Sequence, residues 1–159
     1  MLRKSVMKDT QMKPSEVRAR VLADHVKIRS LLNLVESLVE PATAGDLTKG
    51  FQLREKTVEL YKTMYDHMAM EDELLYPAIS EADAWGFLRA LRLRNEHEGQ
   101  RAVLSGFANI AWRRNTVELA GAVQRLLIEI REDMEREEAE LLNPDVLRDD
   151  VISIGQSTG

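Results

Sequence analysis

The sequence predicts an all-α fold, an up-down-up-down antiparallel four-helix bundle, and three observations carry that expectation. Leu, Ala, Glu and Arg abound while aromatic residues make up only 5% and charged residues 31% of the 159-residue chain, a balance suited to helices packed by aliphatic side chains. Apolar residues recur in alternating steps of three and four along four long stretches, the period of a helix with one buried face. Short runs containing Pro, Gly, Asn or Asp separate those stretches, and links this short make successive helices antiparallel neighbours. At this length the chain suits one domain, able to bury roughly two-thirds of its unfolded surface.

Residues 1–13 read as a polar tail. The first helix opens at Pro14-Ser15-Glu16, since proline is tolerated in a first turn, and runs to about Glu40, where Pro41-Ala42-Thr43-Ala44-Gly45 breaks the chain. Its inward stripe is Val17, Val21, Ile28, Leu32, Val35 and Val39, with His25 filling the gap in the series. Asp46 can cap the second helix, whose inward positions are Leu53, Thr57, Leu60, Met64, His67, Glu71 and Leu74, and Pro77 marks its end or a kink. The third helix opens near Asp83 and continues to about Arg113 with Ala90, Leu93, His97, Leu104 and Ala108 on one face. Asn115-Thr116 caps the fourth, which turns Ala120, Val123, Leu127, Ile130, Met134, Glu138 and Leu141 inward before Pro144. The bundle is thus expected over residues 14–147. The stretch from Asp145 is too short and polar for a further layer, and residues 148–159 form a C-terminal tail.

An internal repeat supports this order. Asp24-His25-Val26-Lys27-Ile28-Arg29 aligns with Glu96-His97-Glu98-Gly99-Gln100-Arg101, and Glu71-Asp72-Glu73-Leu74-Leu75-Tyr76-Pro77 aligns with Glu138-Ala139-Glu140-Leu141-Leu142-Asn143-Pro144. Two such halves pack naturally about a pseudo-two-fold axis, and the inward polar groups of both can meet at one level of the core.

The chemistry follows from where those groups fall. The chain has three histidines, His25, His67 and His97, and each lies on a buried seam. Glu71 and Glu138 lie on the apolar stripes too, where an unpaired carboxylate would take up a proton or cost several kcal/mol. No inward lysine shares that level, whereas a metal ion would compensate both carboxylates at once. His67 and Glu71, four apart, are neighbours on one helix face and can reach a common ion. The chain has no cysteine, which excludes disulfides, thiolate sites and iron–sulfur ligation and leaves His, Asp and Glu as donors. Carboxylate–imidazole sites accept iron, manganese and zinc alike. Calcium is disfavoured, because helices do not supply loop oxygens.

A His on the first helix, His67-x-x-x-Glu71 ending in Leu74-Leu75-Tyr76-Pro77 on the second, His97 on the third, and a second such motif on the fourth together resemble the haemerythrin-like, or HHE cation-binding, proteins over roughly residues 14–147. The resemblance implies a non-haem di-iron centre, with a mono-iron centre as the variant. His25 and His67 would serve one iron, His97 and a residue of the fourth helix the other, and Glu71 and Glu138 would bridge them. It further implies a small ligand such as O2, NO or peroxide. The sequence departs from the family at Met134, which stands four residues before Glu138 in place of a histidine. Thioether is a weak donor to iron among oxygen and nitrogen ligands, so Met134 is expected to pack and to weaken the second position. Glu135 is the nearest substitute donor and Asp133 a poorer one. Arg29 and Arg101, four residues after His25 and His97, are expected to snorkel toward solvent rather than partner buried carboxylates. Tyr61 and Tyr65 read as interfacial core.

Net charge is −5 with acidic and basic residues interleaved, so no basic face is available to neutralise phosphates and nucleic acid is not an expected partner. No stretch of about 18 apolar residues occurs and the N-terminal segment lacks an apolar h-region, which sets aside a membrane partner and makes the cytoplasm the expected location. Carriage or sensing of a small ligand is the leading expectation. Two others stand beside it: an iron-dependent enzyme that reduces peroxide or NO or donates iron for cluster repair, and a metal-free helical interaction module, possible as a homodimer.

Overall fold

The structure is a computed structural model that describes residues 11–111 and 115–150. Four helices follow one another: α1 (Pro14–Thr43), α2 (Leu47–Ser80), α3 (Gly86–Ala111) and α4 (Thr116–Glu140). They form the expected bundle, in which α1 packs against α2 and α4, and α2 against α3. The α3–α4 seam brings the two backbones far less close than these three. No described helix is long and apolar enough to cross a membrane.

Local chemistry sets the ends. Asp46 accepts the Lys49 amide at 3.0 Å and Asn115 the Glu118 amide at 2.9 Å, each satisfying an N–H that the first turn leaves without a partner. At the start of α1, Lys13 has no acceptor to offer. Glu16 reaches back to the Lys13 amide at 2.7 Å, and Asp149, from the far end of the described chain, accepts both the amide and the hydroxyl of Ser15 at 2.9 and 2.6 Å. Asp149 lies in the segment expected as a tail, and nearby Leu147 is 2% exposed within the core.

Three boundaries differ from the sequence expectation. Pro41 does not break the first helix, which carries on to Thr43, and Pro77 likewise sits inside the last turn of α2. Each proline forgoes its own bond to the carbonyl four residues back without ending the helix there, and Gly45, at φ +99°, makes the reversal after α1. The third helix begins at Gly86 rather than near Asp83, because Asp83 instead closes a turn by accepting the Trp85 amide at 2.8 Å. Gly86 is required there. A Cβ at that position would stand 2.1 Å from the Ile79 carbonyl oxygen. The expected end at Arg113 lies outside the described residues.

The inward stripe of the first helix is buried as expected, His25 included. On α2 the stripe continues through Leu75 and Ile79, leaving Leu74 half-buried. The buried apolar residues divide into two clusters. One holds Ile28, Leu32, Leu60, Met64, Met68, Leu104, Leu127 and Met134 among others; the second holds Val17, Val21, Leu75, Ile79, Ala90, Leu93, Leu141, Leu142 and Leu147. On every helix the change from one cluster to the other falls at a polar residue: His25, His67 with Glu71, His97, and Glu137. A polar layer therefore crosses the bundle between two apolar ones.

Candidate metal centre

Glu71 is the hub of that layer. It is 1% exposed, and its Oε1 lies 2.9 Å from His67 Nε2 and 3.7 Å from His25 Nε2, while its Oε2 lies 3.0 Å from His97 Nε2. Glu137 joins from α4, with its Oε1 3.5 Å from His25 Nε2. One donor atom from each of His25, His67, Glu71 and Glu137 fits within a mutual separation of 4.8 Å. Bonds of about 2.0–2.2 Å from a first-row metal to imidazole nitrogen or carboxylate oxygen span ligands up to about 4.4 Å apart, so this set is close to the size that an ion needs.

The outward edges of the rings are held by a second set of carboxylates. His67 Nδ1–H donates to Asp24 at 2.8 Å, His97 Nδ1–H to Asp72 at 2.7 Å and His25 Nδ1–H to Glu138 at 2.8 Å. With Nδ1 so committed, each ring turns Nε2 toward the cluster, where the neutral form of His25 or His67 would offer its lone pair to an ion. The three clamping carboxylates are sequence neighbours of inward residues: Asp24 precedes His25, Asp72 follows Glu71, and Glu138 follows Glu137. A step of one residue turns about 100° around a helix, which carries each side chain off the core axis and onto the adjacent helix. Two of the clamps are anchored in turn, Glu138 by Arg29 at 2.8 Å and Asp72 by Arg101 at 2.5 Å. Both arginines were expected to snorkel to solvent; they partner these carboxylates instead.

Glu138 was expected inward, and the structure places it beside the site. Its side chain is 28% exposed and clamps His25, while Glu137, absent from the sequence expectation, is 13% exposed with a buried Oε1 turned to the cluster. The reason is helical phase. Ile130, Met134, Glu137 and Leu141 continue the alternation of four and three steps, and Glu138 falls outside it; that alternation was the signal available in the sequence. Met134, 3% exposed, packs in the apolar cluster as expected of a methionine. Glu135 is exposed and does not turn in. Asp133 accepts a hydrogen bond from Gln100 at 2.7 Å and pairs with Arg136. Tyr65 donates or accepts with Ser105 at 2.6 Å and lies against Tyr61, away from the polar layer.

The electrostatics are those of a compressed charge cluster. Burial would lower the His25 pKa, yet the carboxylates of Glu137, Glu71 and Glu138 around it push it up to about 10. Burial also opposes the charge on Glu71, and the imidazoles of His25, His67 and His97 outweigh it and hold this carboxyl well below the usual range. Glu137 goes the opposite way, raised to about 8 by burial and then by the charge of Glu71 beside it. Within this layer His25 Nε2, Glu71 Oε1 and Glu137 Oε1 are buried without a hydrogen-bond partner, and they face one another. A buried polar atom left unpaired costs about 1–3 kcal/mol, and three that converge on one point describe a place for a cation.

The comparison with known families agrees with this geometry. The family model of the Hemerythrin HHE cation binding domain matches residues 17–143. The chain belongs to this family. The matched span takes in α1 from Val17, the whole of α2, α3 and α4 and every residue of the polar layer, and the His25, His67, Glu71 and Glu137 cluster is compatible with the cation binding in the family's description. No curated protein and no solved structure shows a significant match to the chain.

Proposed function

We propose that the chain is a non-haem iron protein that binds or senses a small ligand, O2, NO or peroxide, at the polar layer of its bundle. The observation that carries this reading is the convergence of His25 Nε2, Glu71 Oε1 and Glu137 Oε1, buried and unpaired, beside His67 Nε2. Two imidazoles and two carboxylates are a donor set for a divalent first-row metal, whose charge would take the place of the protons that His25 and Glu137 hold without it. When bound, iron would supply redox chemistry and the capacity to take a diatomic or peroxide ligand.

The chain's own part is to prepare that place. Asp24 and Glu138 fix the tilt of His67 and His25 through Nδ1, so that Nε2 of each ring points inward and would offer its lone pair once an ion displaced any proton there. The apolar clusters on both sides keep bulk water from the layer and strengthen every charge interaction within it. The test is metal analysis of protein purified without added metal and then loaded anaerobically with ferrous iron. Wild type is expected to hold iron and His67→Ala to lose it; wild type that takes up no iron under anaerobic loading ends the reading. Titration of the loaded protein with NO is expected to give stoichiometric, reversible spectral changes, whereas catalytic consumption of NO or peroxide would make it an enzyme.

A further inference from the structure

We infer that the centre holds a single metal ion per chain, bound by His25, His67, Glu71 and Glu137, and that His97 positions Glu71 instead of ligating a second ion. The inference rests on the metal-binding reading above and concerns the number of ions and the duty of one histidine. The donors are distributed unequally about Glu71. On its Oε1 side stand His67, His25 and Glu137, which share one small volume. On its Oε2 side stands His97, 3.0 Å away and outside the group of four.

A second ion on the His97 side would need further donors from α4, where Glu137 already belongs to the first group and Glu138 is held by His25 and Arg29. Met134 is buried among Met64, Met68, Leu104, Leu127 and Ile130. Of its acidic neighbours, Glu135 is exposed, and Asp133 is engaged by Gln100 and Arg136. The remaining pair, Glu71 Oε2 and His97 Nε2, is two donors, too few to hold a hard cation against water. What the pair can do is fix a carboxylate. Asp72 accepts the Nδ1–H of His97, Arg101 holds Asp72, and His97, carrying a proton on each ring nitrogen, turns its Nε2–H to Glu71 Oε2, so Oε1 is aimed at the other side.

The test counts iron in full-length protein loaded anaerobically with ferrous iron, alongside four variants whose fold is checked by circular dichroism. Wild type is expected to bind one iron per chain, His67→Ala none, and Met134→His two. His97→Ala is expected to keep the single site with affinity reduced about 10- to 100-fold, as for loss of a ligand's orienting partner, and His97→Gln, which keeps a donor, to restore most of it. Two irons in wild type overturn the inference while leaving the metal-binding reading intact. No iron in wild type removes that reading and this inference with it. Complete loss of iron in a folded His97→Gln variant shows His97 to be a ligand, and a folded Met134→His variant that stays at one iron shows that Met134 is not what limits the site.

Discussion

At the residue scale the centre depends on pairs of adjacent side chains with divided duties, one inward and one sideways. Asp24 touches no atom of the proposed ion's donor group, but it holds the ring of His67 through a 2.8 Å bond. Asp24→Asn is therefore expected to lower metal affinity about 10- to 100-fold with little change in thermal stability of the metal-free protein, read by competition with a metal chelator. Protons compete with the ion for the same atoms. With His25 raised to about 10 and Glu137 to about 8, both carry protons at pH 7 when no metal is bound. Loading at pH 7 must then release protons, and affinity must rise with pH as the competition fades, first through the range of Glu137 and then through that of His25. Calorimetry in buffers of different ionisation heat measures the release; a heat of binding independent of buffer would contradict it.

At the element scale the helices are defined by caps and phase more than by propensity. Asn115 satisfies the Glu118 amide at the start of α4, the helix that brings Glu137 and Glu138 to the site and has the loosest seam with α3. Asn115→Ala is expected to cost about 1 kcal/mol, a fall of about 2–4 °C in the thermal midpoint for a domain of this size; an unchanged midpoint would mean that packing alone holds this end. Both Pro41 and Pro77 mislead at this scale, since each is carried inside the last turn of a helix that runs on to Thr43 or Ser80. Phase matters far more. One residue of helical rotation separates Glu137 at the cluster from Glu138 at its edge.

At the scale of the whole molecule the bundle is two apolar blocks joined across a layer of like and unlike charges. Three buried atoms of that layer, His25 Nε2, Glu71 Oε1 and Glu137 Oε1, have no hydrogen-bond partner. A ligand that binds only the folded state stabilises it by mass action, and iron at a hundred times its dissociation constant adds about 2.7 kcal/mol. The thermal midpoint is accordingly expected to rise by about 5–11 °C on loading and to return on chelation; an unmoved midpoint would show that the folded state binds no ion in preference to the unfolded chain. The segment after α4 belongs to the same whole. Leu147 enters the core and Asp149 meets Ser15, so the end of the described chain steadies the start of α1.

The sequence by itself determined the four helices, their order, the stripes that face inward and the histidines on them, because helical periodicity and capping are local rules written in neighbouring residues. It also carried the resemblance to the family and the departure at Met134. The alternation through Ile130, Met134, Glu137 and Leu141 marked Glu137 in the sequence, and only the tertiary structure decided that Glu137 faces the cluster while Glu138 clamps His25, because that depends on the rotation of α4 against α1 and not on its motif alone. The partners of Asp24, Asp72, Glu138, Arg29 and Arg101 were hidden for the same reason: each acts on a neighbouring helix, and the distance between two helices is not written in either one.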